Sequence, residues 1–96
     1  MKILAMEIEV GGVKPEQFEL HLKAEAQRVW ELYQSGVIRE LYFRADRSEA
    51  VLMLECTDVN EVQQILQSLP LVQASLISFE IIPLRPYPGF VRLFEE

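Results

Sequence analysis

A chain of 96 residues suffices for one domain with one core, and 50% hydrophobic with 25% charged residues describes a globular chain rather than a disordered one. Nine Lys and Arg against fifteen Asp and Glu leave a net charge of −6, which repels nucleic-acid backbones and anionic membranes, so neither is an expected partner. One cysteine, Cys56, and one histidine supply neither an internal disulfide nor a zinc-ligand cluster, and no metal is expected.

The N-terminal MKILAMEIEV alternates along Lys2 to Val10. Leu4, Met6, Ile8 and Val10 point one way and Ile3, Ala5, Glu7 and Glu9 the other, which predicts a strand with one dry face. The segment lacks the long apolar core and cleavage site of a signal peptide, and no run reaches the ~18 apolar residues of a membrane span. A cytoplasmic protein is expected. Gly11-Gly12 ends the strand. Pro15 suits the first turn of a helix, Glu16 its positive end, and Gly36 a left-handed cap about twenty residues and roughly 30 Å later.

A second strand, VIRELYFR, is expected from Val37 to Arg44, and Asp46-Arg47-Ser48 reads as a hairpin turn into a third from Ala50 to Cys56. That third run is apolar but for Glu55 near its end, which predicts burial on both faces. Asp58 caps a second helix, with Glu61 three residues on and Val59, Val62, Ile65, Leu66 and Leu69 as its apolar stripe. Leu69-Pro70-Leu71 stops that helix, because Pro70 disfavours the helical conformation at Leu69 and has no amide to donate. A fourth strand from Ile77 to Leu84 follows, limited by Pro83 to an edge or a strand end.

The order βαββαβ is the ferredoxin-like split motif: an α+β fold with two helices on one face of an antiparallel sheet. Nothing in the chain covers the other face, so a homodimer packed sheet to sheet is expected. Residues 1–96 form one domain on this reading. The tail 86–96, with Tyr87, Phe90, Val91, Leu93 and Phe94, is apolar enough to serve assembly, and it is expected to cross onto the partner subunit.

The "LPL" at Leu69–Leu71, the apolar strand ending in Pro83-Leu84 and the basic Arg85 before Pro86 together resemble the C-terminal third of muconolactone delta-isomerase. The likeness runs back through Ser35-Gly36 and the helix before it, although the family's loop between "LPL" and "PL" is about two residues shorter. The resemblance implies a dimeric α+β barrel, in a family that can form larger rings.

Candidate chemistry centres on the first helix. At 100° per residue Phe18, Leu22, Val29 and Tyr33 make its inward stripe, and Glu25 falls inside the stripe with His21 one turn earlier near its edge. Desolvation raises a carboxylate's pKa, which suits a general base or acid near neutrality, and His21 can tune or share the proton. A plainer reading makes Glu25 a partly exposed acid paired with His21 or Arg28. The resemblance places Glu25 over a glutamate of the isomerase helix, and Leu22 where the family has a lysine.

On the second strand, Arg39 or Arg44 can hold a substrate carboxylate in a bidentate pair, or else form salt bridges to Glu7, Glu9, Glu40 or Glu80. Tyr42 can line a cavity or belong to an ordinary core. The chain carries no glycine-rich phosphate loop, GxSxG or CxxC, and no cofactor is expected. Two functions remain open: a cofactor-independent isomerase-like enzyme moving a proton on a lactone-like or small organic acid, or a non-catalytic dimer binding a small ligand or a partner protein.

Overall fold

A computed structural model describes residues 1–95. Its order is β1 (Lys2–Glu9), α1 (Pro15–Glu19), α2 (Leu22–Gln34), β2 (Ile38–Phe43), β3 (Ala50–Glu55), α3 (Val59–Gln67), α4 (Pro70–Gln73) and β4 (Ile77–Pro83), then a 3-10 turn at Gly89–Phe94. The four strands form one antiparallel sheet in the order β2-β3-β1-β4, the ferredoxin-like arrangement, with β4 on an edge where Pro83 is tolerated.

The dry face of β1 is the Ile3–Ala5 side. Both residues are fully buried and pack with Leu52 and Leu54 of β3, Ile38 of β2, Leu32 of α2, and Val62 and Leu66 of α3. On the other face Leu4 and Met6 are half-buried, and Ile8 is exposed. Leu4 pairs with Met53 and Ile82, and Met6 with Val51, so these residues share a sheet face that the helices of the same chain leave uncovered. The dry side therefore carries Glu7 towards the helices.

The first helix is two segments rather than one. His21 has φ −113°, outside ideal helical geometry, and separates α1 from α2, while Leu20 beside it is 85% exposed and gains nothing from continuing the helix. Within α2 the buried residue is Leu32; Tyr33 turns outward and stacks at a tilt on Trp30, with ring centroids 6.0 Å apart. Gly36 closes the helix at φ +83°, a conformation an L-residue adopts only with strain. Gly36→Ala should therefore cost about 1 kcal/mol in denaturant unfolding. An unchanged midpoint would mean that the cap relaxes without penalty.

At α3 the Asp58 side chain accepts the Glu61 amide at 2.8 Å, and the Glu61 carboxylate accepts both the amide and the hydroxyl of Thr57, so the cap is reciprocal one residue earlier than expected. Pro70 does more than stop α3. It occupies the first position of α4, where its fixed φ suits a helix start, and this short helix was expected only as a turn. Ser75, at φ 61°, ends α4 and leads to buried Leu76 and Ile77.

Beyond β4 the chain leaves the body. Its extents of 61 × 28 × 21 Å and radius of gyration of 16.0 Å exceed the roughly 12.5 Å of a compact chain of this length. Phe90, Leu93 and Phe94 are 67 to 83% exposed. The order in this segment is local: Tyr87 packs edge-on against Phe90 and lies over Gly89, where a side chain would have no room. No helix among the described residues is long and apolar enough to cross a membrane.

Candidate active site

Between α2 and the helix-covered face of the sheet lies a cavity of about 340 Å³. Its walls come from Leu22, Ala26 and Val29 of α2, Leu52 of β3, Phe79 of β4 and Leu71 of α4, with the end of β2 at its rim. Two charged side chains enter it, Glu25 from α2 and Glu7 from β1.

Glu25 is held by the backbone rather than by a cation. Its Oε1 accepts the amide of Leu71 at 3.0 Å, which ties the middle of α2 to the start of α4. The plainer pairing with Arg28 does not occur, because that guanidinium donates to the Ser68 hydroxyl at 2.9 Å and to Glu31 at 3.1 Å. Burial pushes the Glu25 carboxyl above its ordinary value; the Leu71 amide and the nearby His21 oppose that rise. His21 is half-buried at the α1–α2 break, one turn before Glu25.

Glu7 was expected only as a salt-bridge partner. Its Oε1 accepts the amide of Ala50 at 3.2 Å. Burial raises its pKa most, the Ala50 amide counters, and the charges of Glu9, Glu49 and Glu25 push it further up. The signal for this residue was present in the alternation, which sets Glu7 on the same side as Ile3 and Ala5. It became legible only once that side was known to be the covered one.

The arginines expected to anchor a substrate are engaged elsewhere. Arg39 donates to the carbonyl of Gly36, capping α2, and it sits in the register shift between Ile38 and Glu40. Arg44 forms a bidentate pair with Asp46 at 2.9 and 2.8 Å and lies 3.9 Å from Glu49, the local geometry of the hairpin. Neither arginine lines the cavity. Tyr42 does contribute to its rim, with its hydroxyl donating to Glu40 at 2.9 Å on the uncovered face.

The carboxyl shifts carry a sign for stability. Below the ordinary carboxylate value of 4.5 both glutamates are protonated, folded or unfolded, and cost nothing. As pH rises through their raised folded-state values, the unfolded chain releases protons first and stability is lost. Thermal melts of the wild type against Glu7→Gln and Glu25→Gln should therefore show variants that gain relative stability from pH 4.5 towards neutrality. A gap that does not change with pH would mean that the carboxylates are solvated.

Among known proteins, a model of the muconolactone delta-isomerase family matches residues 3–89, from the first strand to the start of the tail. The chain belongs to that family. No curated protein sequence matches. Among solved structures, a crystal structure of muconolactone isomerase aligns at 18% identity and a TM-score of 0.74, covering 93% of each chain. A 5-chloro-2-hydroxyhydroquinone dehydrochlorinase from Burkholderia phenoliruptrix, in complex with 2,5-dihydroxybenzoquinone, aligns at 14% identity and a TM-score of 0.63, covering 91% of this chain and 96% of its own. At such identities the structural likeness establishes the fold, and the family membership rests on the match over residues 3–89.

Proposed function

We propose that this protein is a cofactor-independent, isomerase-type enzyme that moves a proton on a lactone-like or other small unsaturated carbonyl compound, with Glu25 as the proton carrier. The observation that carries the reading is a carboxylate fixed by the Leu71 amide inside a cavity whose walls, Glu7 apart, are apolar or aromatic and which is large enough for a small ring. Burial holds the proton affinity of Glu25 above that of a solvated glutamate, so it can take a proton from carbon and return it. His21 modulates that affinity, and Tyr42 forms part of the cavity rim. Family membership supports the same class of chemistry, since a delta-isomerase relocates a double bond by moving a proton. The roles first expected of Arg39 and Arg44 drop out of the proposal, because their guanidinium groups serve the α2 cap and the hairpin.

The working unit in this reading is a homodimer joined through the uncovered face of the sheet, where Leu4, Met6, Val51, Met53 and Ile82 remain half-buried in the single chain. The projecting tail, with Phe90, Leu93 and Phe94 in solvent, adds contacts to a second copy.

The test is proton exchange. Unsaturated lactones and small organic acids are incubated with the protein in deuterated water and followed by NMR. Enzyme-dependent deuterium incorporation beside the carbonyl is the expected result. No incorporation into any compound, with binding retained, would leave a non-catalytic ligand-binding dimer.

A further inference from the structure

Glu7 and Glu25 reach one cavity from opposite layers, the sheet and the helix, and they are the charged side chains that line it. Each has its Oε1 fixed by a backbone amide from a third element, Ala50 of β3 and Leu71 of α4, and no hydrogen bond to either Oε2 occurs among the described residues. The remaining walls are apolar or aromatic. A ligand bearing a carboxylate would meet the ionised Glu25 in a partly desolvated space, with the guanidinium groups of Arg39 and Arg44 committed to Gly36, Asp46 and Glu49. An uncharged carbonyl compound would meet apolar walls and two groups able to exchange protons.

Resting on the proton-transfer reading above, we infer that the substrate of this cavity is an uncharged β,γ-unsaturated carbonyl compound, such as a lactone ring without a free carboxylate, and that Glu7 is its second proton-carrying group. The ionised Glu25 removes a proton from the carbon between the carbonyl and the double bond. The C–H electron pair becomes a new double bond to the carbonyl carbon, and the carbonyl oxygen takes the proton of the Glu7 carboxyl, giving a dienol. Glu7 then recovers the hydroxyl proton as the carbonyl re-forms, the electrons shift outward, and Glu25 delivers its proton to the γ-carbon. The double bond has moved into conjugation, both carboxyls return to their starting states, and no electron acceptor is consumed. Glu7 is suited to the protonated role because burial, with the negative charges of Glu9, Glu49 and Glu25 adding to it, holds its carboxyl above the ordinary value against the pull of the Ala50 amide.

The test compares 5-methyl-2(3H)-furanone, which is uncharged, with the same ring bearing a carboxymethyl group in place of the methyl. Binding is read from the amide NMR shifts of Ala50 and Leu71, and turnover from deuterium exchange at the ring methylene. The wild type should favour the uncharged lactone by about tenfold or more, the scale of a unit charge held several Å from another at a protein-like dielectric. Glu7→Gln removes the proton donor and no charge, so it should keep that preference and slow exchange by about a hundredfold. If Glu7→Gln fails to fold, the wild type still decides: salt should improve binding of the carboxylated ring and leave the uncharged one unchanged. Equal or tighter binding of the carboxylated lactone overturns the inference, as does a folded Glu7→Gln variant that exchanges protons at the wild-type rate. A preference for the uncharged ring without any exchange supports the ligand class while overturning the proposed enzyme activity, so the two readings fail separately.

Discussion

Glu25→Gln is expected to lower the rate of proton exchange into a responsive lactone by about 10²- to 10⁴-fold, the range lost when a positioned general base is removed. The substitution keeps the volume of the side chain and its carbonyl oxygen, so the Leu71 amide retains an acceptor and the bond between α2 and α4 survives. At neutral pH the variant should be as stable as the wild type or more so, because a partly desolvated charge has been removed. Loss of turnover with stability intact is the signature of a group that works at a cost to the fold. Were Glu25 an ordinary solvated acid, the same change would alter stability by no more than about 0.5 kcal/mol at any pH and leave exchange untouched.

The second large effect concerns assembly. Leu4 lies in the middle of the uncovered face, between Met53 on one side and Ile82 on the other. Leu4→Glu should barely disturb the single chain, where the position is half-exposed and no acid is its direct cross-strand partner. In a sheet-to-sheet dimer the same carboxylate is buried on each side of the interface, at a cost of several kcal/mol per ion, and the dissociation constant should rise at least about 100-fold. Sedimentation of wild type and variant over a concentration series measures this directly. A wild type that is monomeric at micromolar concentration, or a variant that associates as tightly as the wild type, would remove the sheet face as the interface. Deleting the tail after Pro86 separates its share, since the segment stands off the body and its loss should weaken association more than it alters the monomer.

The fold was legible wherever a local signal and a tertiary one agree. Asp58 and Glu61 announced the start of α3, Gly36 the end of α2, and Pro83 the edge position of β4, each for a reason confined to a few backbone atoms. The break at His21 was not legible, because no glycine or proline marks it and the helical periodicity continues across it. Alternation alone left open which face of β1 the helices cover, because Leu4, Met6 and Ile8 on one side compete with Ile3 and Ala5 on the other. Side-chain size says which face is dry only when one face is wet, and here both carry apolar residues. Glu25 could be placed by period alone, since a carboxylate inside an apolar stripe breaks the pattern it sits in. Glu7 required knowledge of which layer covers which face. Arg39 and Arg44 interrupt a strand pattern, and whether they anchor a ligand or bind other partners could not be read from it; their side chains turn to backbone and hairpin partners that the fold alone locates.

Whether Glu25 is a proton-carrying group of the cavity is tested most directly by a site-resolved carboxyl titration by carbon-13 NMR, with and without a bound unsaturated lactone. The predicted result is a Glu25 midpoint above the ordinary carboxylate value of 4.5 in the free protein, which shifts again when the cavity is filled. A Glu25 midpoint at the ordinary value, unmoved by any lactone that binds, would contradict the account.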